Sequence, residues 1–339
     1  MKHFKRVLFG APFYKIDKEG VRPVKSELTV DTARSKKKDT FFAKLWEQRA
    51  WVLMSFPFIV YVIIFRYLPI GGWIMAFQNY WPARSIFDQT WVGFENFRML
   101  FQDPVFFQVL RNTIVISAIK LTLGMFFAIL LALALNEVRN LRFKKITQTI
   151  SYLPYFISWV VAANLVRDLL ATDGIINEIL MALNIVDKPI MFLGVPELFW
   201  WVLGFSHVWK QIGWDAIVYL AAMTSINPNL YEAAMIDGAS RLQRIRHITL
   251  PSLRPTIVIL LILNIGQLMN AGFEQVYLLQ NGRVIEYARI FEIFELDFGL
   301  KMMRYSFATA VGIFRSVVSI VLVLSANYIA KRLDQERLF

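Results

Sequence analysis

Cysteine is absent from the 339 residues, which excludes disulfides and thiolate metal sites. Histidine is scarce. His3, His207 and His247 lie far apart in differing contexts and do not suggest a metal cluster. Charge is sparse too, at 18% Asp, Glu, Lys and Arg against about a quarter in soluble globular domains. No G-x-x-x-x-G-K-[ST] loop occurs, so the chain lacks that device for holding nucleotide phosphates. H-E-x-x-H, G-x-S-x-G and any close His, Ser and Asp arrangement are missing as well, which leaves an intramembrane enzyme without a motif. No periodic repeat or low-complexity block is present.

What fills the chain is apolar: 57% of residues are hydrophobic and the mean hydropathy is +0.48. These values point to the membrane class. Residues 1–49 form a polar tail with 13 basic and 6 acidic residues, and the first long apolar run begins near Ala50. That run starts too late for a cleaved signal peptide, so an uncleaved anchor is expected. A bilayer core about 30 Å thick needs roughly 20 helical residues. Six segments meet that length, at about 50–70, 113–135, 150–171, 198–223, 254–274 and 305–330.

The loops between them alternate in charge. Segment 136–149 holds four basic residues and one acid, and 224–254 holds four and two. Segment 71–110 has two basic and three acidic, 172–197 has one and four, and 275–304 has four of each. Lys and Arg concentrate in cytoplasmic loops. The expected topology therefore has six spans with both termini in the cytoplasm, including a short basic tail at 331–339. The net charge of +12 is then mostly a topology signal, and nucleic acid is not needed to explain it. The "RSKKKD" run at 34–39 reads as a solvated basic tail near anionic headgroups.

One inner loop has more internal punctuation than a connector needs: "SINPNLYEAAMIDGASRLQRIRHITLP", residues 225–251. Asn227 and Pro228 suit a helix cap and first helical position. Gly238 suits a left-handed stop. Ser240 to Gln243 has the S-x-x-Q form of a capping box that opens a second helix. Pro251 and Pro255 punctuate the approach to the fifth span. Neither short helix is stable alone, so each must rest on the spans, the headgroups or another protein.

The frame Glu232, Ala233, Ala234, Gly238, Ile248, Leu250 and Pro251 resembles the EAA loop of permease subunits of bacterial ABC importers. "VGFENFRML", "SYLPYFISWVVAANL", "ATDGIIN", "EQVYLLQNG" and "YSFATAVGIFRSVVSIVLVLSAN" are similar to the carbohydrate-importer branch, within the polysaccharide-permease group that includes alginate importers. The likeness runs from about residue 50 to the end. It implies an all-α integral membrane protein with the type I ABC importer permease fold. Residues 50–330 would form the six-helix domain, with the EAA loop at 224–253 as a cytoplasmic coupling helix. Glu232, Ala233, Ala234, Asp237 and Gly238 would carry the contact with a cytosolic ATPase. It further implies two ATPase subunits that bind ATP and Mg while this chain holds no cofactor. A second, homologous permease, an extracytoplasmic solute-binding protein and a saccharide cargo complete the expected set, in the bacterial cytoplasmic membrane.

Polar groups inside spans cost roughly 2.5 to 3.5 kcal/mol when charged and point to function. In the fifth span Asn264, Gln267, Asn270 and Glu274 share one face at helical spacing. In the fourth, His207, Trp209, Lys210, Gln211 and Trp214 mix polar groups with aromatics, a combination that suits sugar hydroxyls and ring faces, though His207 alone says little. The alternative is helix-to-helix hydrogen bonding. Lys120 and Asn164 read as structural or cavity-facing. A self-contained secondary transporter would explain the spans but not the EAA frame, and a non-sugar cargo is opposed only by the carbohydrate-branch likeness.

Overall fold

Inside a bilayer every backbone N–H and C=O must be satisfied within the chain, which favours helices. The computed structural model describes residues 14–17, 20–23, 46 and 48–332, and there the protein is mostly helical. Most of the basic tail at 1–49 and most of 331–339, with the "RSKKKD" run, lie outside the described residues. The all-α expectation needs one correction, because two short antiparallel strand pairs are present.

The chain divides into two units, Met1–Leu68 and Pro69–Phe339. In the first, β1 (Tyr14–Asp17) pairs with β2 (Gly20–Pro23), Tyr14 opposite Pro23. Helix α1 (Arg49–Val62) continues through a π-helical turn at Ile63–Tyr67. A 3₁₀ run, Leu68–Phe77, carries the chain into the second unit.

That unit opens with β3 (Gln78–Asn79) paired to β4 (Thr90–Trp91), then α2 (Glu95–Gln102). The loop between the strands is fastened by Gln89, whose amide donates to the carbonyls of Trp81, Arg84 and Ser85. Asn96 of α2 donates to Ala76 and Gln78. Next come α3 (Phe106–Glu137), α4 (Leu141–Tyr152) and α5 (Trp159–Leu169), then α6 (Ile175–Ala182) and α7 (Pro196–Thr224). Helices α8 (Pro228–Ile236), α9 (Arg241–Arg244) and α10 (Leu250–Ile265) follow. The chain then runs through α11 (Phe273–Leu279), α12 (Ile285–Ala288) and α13 (Phe291–Leu296) to α14 (Tyr305–Arg332).

Among the described residues, four helical runs are long and apolar enough to cross a membrane: Arg49–Phe77, Phe106–Glu137, Arg241–Ile265 and Tyr305–Arg332. A fifth arises if the bent pair Leu141–Phe156 and Trp159–Leu169 is one span. Helix α7 lies where the fourth span is expected and has 29 residues. It is not among them, and it carries Glu197, Lys210 and Asp215.

Two expected straight spans are broken. The third turns by 105°, since Ile157 and Ser158 are extended and the Ser158 hydroxyl caps α5 by accepting from Val161 N–H. The fifth ends at Ile265, and Gly272, at φ 88°, precedes α11. In the approach to it, Pro251 and Pro255 do not interrupt the helix. A π-helical turn at Ile245–Thr249, closed by Leu250 N–H to the Ile245 carbonyl, leads into Pro251. The wider turn shifts the hydrogen-bond register where proline has no N–H to give.

The principal packing unit is α3 against α7. In lipid, helices associate through close van der Waals contact, which small residues permit. Ala128 and Ala132 of α3 are buried with Ala216, Tyr219 and Met223 of α7 and Leu253 of α10. A side chain at Gly204 would lie 2.6 Å from Ile119. One at Gly213 would lie 2.1 Å from the Ser151 carbonyl oxygen, so α4 rests directly on the α7 backbone. Polar clasps hold the segment between α11 and α14. Asn112, fully buried, donates to the carbonyls of Glu286 and Arg289, and Thr113 accepts from Phe291 N–H.

Candidate functional site

Between α3, α7, the end of α10 and the broken stretch after it lies a cavity of about 420 Å³. Its polar lining comprises Ser117 and Lys120 from α3, His207, Gln211 and Asp215 from α7, Asn264 from α10, Gln267 and Asn270 from the break, and Gln275 from α11. Trp159 and Tyr219 add aromatic surface.

Several of these polar groups are placed by a specific contact or gap. The Lys120 ammonium donates to the Ala271 carbonyl, so the charge on α3 holds the break that follows α10. A side chain at Gly272 would meet that ammonium at 3.0 Å. Gln275 donates to the Leu203 carbonyl and the Ser206 hydroxyl, 2.8 Å each, tying α11 to α7. Asn270 donates to Gln267 at 2.6 Å. Gly124 leaves room for the His207 ring, 4.0 Å from where a β-carbon would stand. A wall of amides, an ammonium, an imidazole and a carboxylate beside two aromatic rings can give and accept hydrogen bonds with a hydroxyl-rich solute.

The expected residues divide. Asn264, Gln267 and Asn270 do line the cavity, but not as one helix face, because the helix ends at Ile265. Glu274 is exposed in the first turn of α11, outside the lining. Of the fourth-span set, His207 and Gln211 line the cavity. Lys210 instead donates to the Tyr155 carbonyl at 2.8 Å, its ammonium 5.4 Å from the Tyr155 and Trp159 rings. Trp214 stacks on Tyr155 at 4.5 Å and 6°. Trp209 belongs to a separate apolar cavity of about 500 Å³ with Leu165, Trp201 and Phe205. Asn164 is exposed and off the cavity. Sequence reasoning missed Asp215 and Gln275 as wall residues. The available signal was that Lys120, His207, Gln211 and Asp215 are all hydrophilic residues inside apolar runs.

The punctuated loop folds as its residues dictate. Asn227 accepts from Asn229 N–H, and Pro228 opens α8. At the other end Gly238, at φ 77°, donates to the Met235 carbonyl, and Ala239 donates to that of Ala234 at 2.8 Å. This pair of bonds is a Schellman stop. Ser240 and Gln243 close the capping box in both directions. Tyr231 and Thr249 share a hydrogen bond of 2.9 Å that ties α8 to the π-helical turn. Glu232, Ala233, Asp237 and Gly238 are exposed and Ala234 is half-buried. Leu230, Met235 and Ile236 are exposed too, Ile236 at 87%, leaving an apolar tip uncovered by this chain.

Residues 121–335 match the binding-protein-dependent transport system inner membrane component. The chain belongs to that family. This permease is 42% identical over 307 residues to the polygalacturonan/rhamnogalacturonan transport system permease protein YteP of Bacillus subtilis (strain 168), covering 90% of this chain and 95% of the relative. A crystal structure of a bacterial ABC transporter involved in import of the acidic polysaccharide alginate matches at TM-score 0.76 and 41% identity, over 85% of this chain and 99% of that one. A second, of a bacterial alginate ABC transporter in complex with an alginate pentasaccharide-bound periplasmic protein, matches at TM-score 0.79 and 39% identity, over 88% and 99%. The permease is thus a multi-pass membrane protein of the ABC importer class, and its relatives are transport subunits.

Proposed function

We propose that this permease is one half of the translocation pathway of an ATP-driven importer that moves an oligo- or polysaccharide into the cytoplasm. The observation that carries the reading is the cavity between α3, α7 and α10, whose amides and aromatic rings suit saccharide hydroxyls and ring faces. The acidic-polysaccharide cargo of its relatives supports it. One such chain cannot enclose a pathway alone, so a second, related permease completes it in the bacterial cytoplasmic membrane. Helix α7 serves as the fourth of six spans, with both termini in the cytoplasm, and the charge alternation of the loops supports that topology.

The loaded binding protein engages the outer loops 71–110, 172–197 and 275–304. Two ATPase subunits bind ATP and Mg, and this chain takes no cofactor. Their closure acts on the exposed EAA helix α8 through Glu232, Ala233, Ala234, Asp237 and Gly238. The paired permeases then rock between inward-open and outward-open states. Both the loaded binding protein and ATP must favour the outward state, or neither shifts the population.

The test is reconstitution of this permease with its companion permease, ATPase and binding protein in proteoliposomes, with uptake of oligogalacturonides and alginate oligosaccharides followed. Uptake is expected to need ATP, to be blocked by vanadate and to vanish when the ATPase is left out. Uptake by the permease alone, driven by an ion gradient, would overturn the reading in favour of a secondary transporter.

A further inference from the structure

A second polar cavity, about 360 Å³, lies between the end of α3 and the punctuated loop, lined by Asn136, Glu137, Arg139, Tyr231, Arg241 and Arg244. Three arginines and one glutamate thus line the same cavity. Two of the arginines stand three apart on α9, whose start is fixed by the Ser240–Gln243 capping box, so that they share a face. The third follows the last turn of α3. Tyr231 forms part of the wall and is held by its bond to Thr249. Among the described residues none of the three guanidinium groups has an ion pair, hydrogen bond or ring partner. Like charges collected around one concavity repel, and an oxyanion with several acceptor oxygens resolves that. Guanidinium forks match phosphate in pairs, with short charge-assisted bonds.

We propose that this cavity is an anion site for a phosphate group, supplied either by an anionic phospholipid headgroup or by free phosphate, that pins the α8–α9 loop to the end of α3. The bound anion neutralises Arg139, Arg241 and Arg244 together and so joins two elements that otherwise meet through unpaired like charges. The site does not depend on the transport reading above. The proposed orientation decides only which leaflet supplies a lipid.

The test uses the full wild-type chain in nanodiscs and phenylglyoxal, which modifies free arginines, with rates followed residue by residue by mass spectrometry. In phosphatidylcholine discs, inorganic phosphate is expected to slow modification of Arg139, Arg241 and Arg244 severalfold relative to chloride at equal ionic strength. Exposed Arg84, on a distant loop, should be unchanged. In phosphate-free buffer, discs containing phosphatidylglycerol should give the same protection if the headgroup is the ligand. Protection by either probe supports the site and tells the two sources apart. In an R241Q/R244Q variant the protection of Arg139 should disappear. Unprotected arginines with both probes, equal protection at Arg84, or protection only when a partner ATPase is added would each overturn the proposal.

Discussion

At Gly213 a single hydrogen separates two backbones. Because a β-carbon there would lie 2.1 Å from the Ser151 carbonyl oxygen, and backbone cannot swing aside as a flexible side chain can, Gly213→Ala must push α4 off α7. Overpacking of this kind costs about 1 to 3 kcal/mol, at times more. The purified variant should therefore aggregate at a clearly lower temperature than the parent by light scattering, and an unchanged transition would disprove the contact. Lys120 makes a different case, since it combines an in-span charge with a structural bond to the Ala271 carbonyl. Lys120→Met strands that carbonyl, a loss of about 1 to 3 kcal/mol, and removes an ammonium from the cavity wall. Uptake in the reconstituted transporter should fall at least tenfold while the subunits still copurify. Full uptake would mean that the ammonium serves neither the cavity nor the break.

Among the elements, the EAA loop is the one most legible in the sequence. Its Asn227 cap, Gly238 stop and Ser240–Gln243 box are local devices, each decided by residues within a few positions, and all three are formed. Ser240→Ala should cost about 1 kcal/mol of local stability, visible as faster amide exchange at 241–244 with the rest of the chain unaffected. Gly238→Pro cannot adopt φ 77°. It should leave membrane insertion intact and uncouple ATP hydrolysis from uptake, so normal transport by that variant would remove α8 from the coupling role. The breaks in the expected third and fifth spans were not legible, because hydropathy sums over a window and does not register direction. The cue for one was the hydroxyl of Ser158 within a run of apolar residues, which caps a helix as readily as it rides inside one. For the other it was Gly272, whose left-handed conformation is fixed by what surrounds it, including an ammonium 152 residues earlier in the chain.

Over the molecule as a whole, stiffness is unevenly distributed. Helices α3 and α7 are locked by Gly204 and a row of alanines, with α4 resting on α7 at Gly213, whereas residues 266–272 have no continuous helical ladder. Opening free energies vary across a structure in this manner. Hydrogen exchange should find 266–272 far less protected than 201–219, and equal protection would show that the break is as rigid as the helix pair. The cavity walls therefore differ in kind, one side fixed and the other jointed. The sequence could not reveal this, because the polar residues of both sides look alike until the helix end at Ile265 separates them. Helix α7 runs unbroken over 29 residues, roughly 44 Å at about 1.5 Å per residue, and only Ser225, Ile226 and the Asn227 cap separate it from α8. Under the proposed coupling role of α8, α7 would serve as a pushrod: a displacement applied to the tip at Ile236 would pass along this unbroken helix, and the joint at 266–272 would absorb the difference.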